Sequence, residues 1–101
     1  MKPRKRIPLG SEIKVLFTAR EKDLVLNHTL AGPEETKPLV RARERHGVFV
    51  VSYGLDDLDE LLGFIAAEAN HAKSKKVQKE LYGLYDKLQH VMDGYEDGGE
   101  A

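Results

Sequence analysis

The sequence predicts an α+β domain: a small, mostly antiparallel sheet with a β-hairpin, packed against an antiparallel helical hairpin. Three observations lead there. The run "LVRARERHGVFVVSY" is rich in β-formers on both sides of His46-Gly47, and a glycine at that point suits the positive φ of a tight hairpin turn. From Leu55 onward the apolar spacing becomes that of a helix. That helical region carries two apolar stripes, and they are out of phase with each other.

Taken in order, the chain opens with "MKPRKRIPLG", in which Lys2, Arg4, Lys5 and Arg6 are interleaved with Pro3 and Pro8. Residues 1–10 are therefore expected to be a disordered basic arm. In "EIKVLF", Ile13, Val15 and Phe17 fall on one side and Glu12 and Lys14 on the other, the period of a half-buried strand, with Leu16 departing from it. Thr18 with Glu21 three residues later forms a capping box, so a short helix opens here, carrying Leu24, Val25 and either His28 or Leu30 inward. "AGPEETKP" holds Gly32, Pro33 and Pro38 and reads as a loop.

The hairpin is placed at Leu39–Tyr53. A two-residue turn sets Arg45 opposite Val48, Arg43 opposite Val50 and Arg41 opposite Ser52 on one face. Glu44–Phe49, Ala42–Val51 and Val40–Tyr53 then pair on the other, which is the better core face. Residues two apart on a strand stand about 6.6 Å apart, so Arg41, Arg43 and Arg45 are expected to form a linear positive ladder.

The first helical stripe is Leu55, Leu58, Leu62, Ile65, Ala69 and Ala72; the second is Val77, Leu81, Leu84, Leu88, Val91 and Tyr95. At about 100° per residue the second is rotated by one residue's step from the first. One unbroken helix cannot present both on a single face. The chain is expected to break at "NHAKSKK", with Ser74 as the N-cap of the second helix, and so short a connection makes the pair antiparallel. Residues 11–93 then form one domain. The closing "MDGYEDGGEA" carries Asp93, Glu96, Asp97 and Glu100, and residues 94–101 are expected to be a disordered acidic tail.

Composition narrows the classes of function. A chain of 101 residues supports one core, burying roughly 60–70% of its unfolded surface. The net charge of −1 gives no overall pull toward nucleic acid or membrane. With no cysteine, disulfides, thiolate metal sites and cysteine nucleophiles are excluded. No apolar run approaches the roughly 20 residues that span a bilayer, and the basic start lacks the apolar core of a secretory signal. The reading is a cytoplasmic protein with no membrane partner.

The stretch "GLDDLDELLGFIAAEANHAKSKK" poses the sharpest chemical question. With Gly54 as N-cap, Asp56 and Asp57 lie in the first helical turn, where each favours the helix dipole by about 0.3–1 kcal/mol. A calcium loop needs ligands alternating around a central glycine, and Leu58, Leu61 and Leu62 interrupt any such pattern. Glu68 and His71 have the E-x-x-H spacing of carboxylate-bridged di-metal bundles. Such a site needs a second copy of the motif, and Lys87 stands where a partner of His90 would need a carboxylate. No serine lies in a nucleophile elbow and no glycines form a phosphate loop. The sequence thus assigns no catalytic residue, no metal site and no cofactor.

Two functional readings are ranked. The first is a non-catalytic interaction or regulatory protein that self-associates as a homodimer through its helical hairpin, with another protein as a further partner. Phe64, Tyr82, Tyr85 and Met92 carry it, because they lie outside the two apolar stripes. The second is a nucleic-acid-binding accessory protein in which Arg41, Arg43 and Arg45, with Arg4, Lys5 and Arg6 of the basic arm, follow a phosphate backbone.

Overall fold

The computed structural model describes residues 5–7 and 10–97. The elements are β1 (Lys5–Ile7), β2 (Glu12–Thr18), α1 (Ala19–His28), α2 (Pro33–Arg41), β3 (Glu44–Arg45), β4 (Val48–Gly54), α3 (Leu55–His71), α4 (Lys75–Asp93) and β5 (Tyr95–Asp97). Strands β2, β4 and β3 form an antiparallel sheet in that order, and α3 and α4 form the helical hairpin. The α+β class read from the sequence is the fold observed.

Strand β2 alternates as its sequence requires. Ile13, Val15 and Phe17 are buried and the residues between them are exposed. Their partners across β4 are Tyr53, Val51 and Phe49, so the inner pleats of both strands make one apolar layer. The ring of Phe17 meets that of Tyr53 edge-on, at 6.3 Å between centroids. The hairpin turn also forms in the expected register, with Glu44 opposite Phe49 and Arg45 opposite Val48. Both turn residues have positive φ, 52° at His46 and 85° at Gly47, as a type I′ turn demands. Glycine enters that region freely, whereas a histidine does so less readily than an asparagine. His46→Asn is therefore expected to stabilise the fold by about 0.5 kcal/mol, and His46→Ile to destabilise it by about 1 kcal/mol, in urea denaturation.

The stretch expected as a loop and the first hairpin strand is instead α2, and the hairpin strand shrinks to two residues. Pro33 sits at the first helical position, where its missing N–H costs nothing. Glu34 and Glu35 occupy the first turn, and the Glu35 carboxylate accepts the Gly32 N–H at 3.1 Å. Pro38 lies inside this helix. It has no N–H to return to the Glu34 carbonyl, and in the same turn the buried Tyr53 hydroxyl donates to the Glu35 carbonyl at 2.5 Å. Leu39 is fully buried and anchors the element. Val40, expected opposite Tyr53, is 59% exposed. Arg41 ends the helix and Arg43 lies in the connection, so the linear arginine ladder does not exist.

Helix α1 opens on the expected capping box: the Thr18 hydroxyl accepts from Glu21 N–H and the Glu21 carboxylate accepts from Thr18 N–H. Leu24 and Val25 are buried, whereas Leu30 is 79% exposed. Two ion pairs tie this end of the molecule to α4. Arg20 reaches both oxygens of Glu80 at 2.8 and 2.9 Å, and Lys87 reaches Glu21 at 2.6 Å. The hydrogen bond from Arg20 holds the Glu80 carboxyl below the usual carboxylate range.

The chain reverses between α3 and α4 where the stripes fall out of phase. Ser74 caps α4, its hydroxyl accepting from Val77 N–H at 3.3 Å, and the Gln78 side chain donates back to the Ala69 carbonyl at 2.8 Å. Leu58, Leu62, Ile65 and Ala69 from α3 and Leu81, Leu84 and Leu88 from α4 are all buried. Leu61 is buried as well, although it lies outside the predicted stripe. The cause is that α3 packs against α4, α2 and β4 together, so its apolar arc is wider than a two-helix seam.

β1 and β5 pair in parallel, with Lys5 opposite Tyr95 and Ile7 opposite Asp97, within segments read as a disordered arm and tail. Residues 1–4, 8–9 and 98–101 of those segments lie outside the described residues.

Candidate functional site

The sheet's outer face, opposite the buried Val51 and Tyr53, carries Lys14, Val50 and Ser52. Lys14 on edge strand β2 lies across from Ser52 in register, and Arg45 lies on the other edge, β3. The end of α2 brings Arg41 to the same place, and the connection to β3 brings Arg43. These four cations line one open groove whose remaining walls include Pro38, Ala42 and Val50. Among the described residues no carboxylate lines it.

All four cationic residues are exposed. Among the described residues none of the four is paired with an acid, whereas Arg20, His28 and Lys87 each are. The groove therefore gathers uncompensated positive charge over a partly apolar floor on a chain of net charge −1. Three of the four cations were legible from sequence, though as a strand ladder. They converge because a helix end, a connection and a strand edge meet. Lys14 was missed as a site residue. Only the pairing of β2 with β4 reveals that it faces the groove.

The other expected site residues are dispersed. Tyr85 and Met92 are half-buried and pack against the core. The exposed Tyr82 donates its hydroxyl to Asn70 Oδ1 at 2.8 Å. Phe64 is half-buried. Lys5 and Arg6 lie on β1, which pairs with β5, and Arg4 lies outside the described residues. Glu68 and His71 share an open depression with His28. Among the described residues no cluster of three potential metal ligands includes them, and the cluster that does exist is Glu35, Asp57 and Glu60.

No protein-family model matches the chain, and comparisons with curated proteins and with solved structures find no match. No described helix is long and apolar enough to cross a membrane.

Proposed function

We propose that this chain is a non-catalytic binding protein whose groove of Lys14, Arg41, Arg43 and Arg45 takes the phosphate backbone of a nucleic acid. The observation that carries the reading is the convergence of four exposed, unpaired cations on a groove that no described acid lines. Arginine forks suit phosphate because they donate two parallel hydrogen bonds to it. The apolar floor leaves room for a sugar or base edge beside the phosphates.

Fluorescence anisotropy with labelled duplex and single-stranded oligonucleotides tests this. Four phosphate contacts predict affinity that falls with salt at a log–log slope of about −3 to −4. Absence of binding at low salt overturns the reading.

Self-association through the helical hairpin is the second reading, favoured by the exposed Tyr82 on α4 and the half-buried Phe64 on α3. Light scattering decides it: a dimer at tens of micromolar supports it, and a strict monomer removes it.

A further inference from the structure

The start of α2 meets the start of α3 at three carboxylates. One oxygen from each of Glu35, Asp57 and Glu60 lies within 4.8 Å of the other two. The arrangement follows from local rules. Gly32 and Pro33 fix where α2 begins, which turns Glu35 inward, and Gly54 caps α3, which puts Asp57 in its first turn and Glu60 one turn on.

Glu35 is the informative member. It is 1% exposed. Its Oε1 accepts the Gly32 N–H at 3.1 Å, but its Oε2 is buried with no hydrogen-bond partner among the described residues. The neighbouring Tyr53 hydroxyl cannot serve that oxygen, because its proton goes to the Glu35 backbone carbonyl. No lysine or arginine among the described residues pairs with any of the three acids. A buried carboxylate with an open lone pair beside two further carboxylates is costly unless a cation completes it.

We propose that Glu35, Asp57 and Glu60 together bind one hard divalent cation. Oxygen ligands lie about 2.3–2.6 Å from calcium, so two on opposite sides of one ion stand about 5 Å apart, and three oxygens within 4.8 Å fit round one centre. All-oxygen ligation suits Ca²⁺, Mg²⁺ or Mn²⁺. Glu60 is exposed and Asp57 half-buried, which leaves the outer positions to water. The competing occupant is a proton. Burial pushes the Glu35 carboxyl above the usual carboxylate range; the Gly32 N–H opposes this, and the charges of Glu60, Glu34 and Asp57 add to it. A proton neutralises one charge of the cluster and a divalent ion two.

The test titrates Mn²⁺ into the chelator-treated full chain at neutral pH, with melting temperature and amide NMR line broadening as readouts. The expected result is a saturable rise in melting temperature, about 10–20 °C at a hundredfold excess over the dissociation constant, with broadening centred on residues 32–36 and 54–60. Ca²⁺ should displace the Mn²⁺ and restore the lines. Asp57→Asn and Glu60→Gln should each weaken Mn²⁺ binding by about tenfold or more. Glu60 is exposed, so its variant folds even where a Glu35 variant does not. The proposal is overturned by no saturable shift up to about 10 mM, beyond even weak calcium modules. Binding unchanged in both variants, or broadening centred elsewhere, overturns it equally.

Discussion

Replacing Arg41, Arg43 and Arg45 together by alanine is expected to weaken nucleic-acid binding about a hundredfold at 0.1 M salt and to flatten the salt slope by about 2 to 3. The three side chains are exposed and carry no ion pair among the described residues, so the variant should keep the wild-type urea midpoint. That separates lost contacts from lost fold. The loss should be similar for unrelated base sequences, because phosphate contacts carry no sequence information. The corresponding lysine variant keeps the charge and gives up the paired hydrogen bonds, so it should fall between the two. Lys14→Ala should remove one further unit of slope. Unchanged affinity and slope in the triple variant would place binding elsewhere on the chain.

Leu61→Ala is expected to cost about 2–5 kcal/mol, with Leu55→Ala costing less than half as much. Leu61 is fully buried on a helix that packs against α2, α4 and β4. Leu55 belongs to the stripe read from the sequence but is only half-buried, packed at the edge of the core. The sequence stripe alone ranks the two the other way round. Urea denaturation with an unchanged m-value distinguishes the orders. A small domain has about 5–15 kcal/mol in total, so the Leu61 variant should also show markedly faster amide exchange throughout the core.

Where a local rule decided the structure, the sequence was legible. Alternation gave β2, the Thr18–Glu21 capping box gave the start of α1, and His46-Gly47 gave the turn and its register. The phase jump between the stripes gave the reversal at Ser74. Helix α2 was not legible, because three of its features pull the other way. Pro38 normally ends a helix, Val40 favours a strand, and a glycine N-cap has no side chain to announce itself. The signal that was present is Pro33 followed by Glu34 and Glu35, since a proline at the first helical position starts a helix as readily as one further in stops it. Missing α2 hid both sites. A strand ladder puts the arginines in the right region with the wrong geometry, and Asp57 answers only to the helix dipole until α2 brings Glu35 beside it.

Helix α2 spans Pro33–Arg41, and Glu35 and Arg41 stand about 9 Å apart along its axis at 1.5 Å per residue. One short helix thus holds an inward acid near one end and a groove cation at the other, so a tilt of the whole helix would move both. Were a cation held at one end and a phosphate at the other, whatever factor one guest imposed on the other's affinity would be returned in equal measure. Measuring either equilibrium with and without the second guest therefore reads the same exchange from opposite sides.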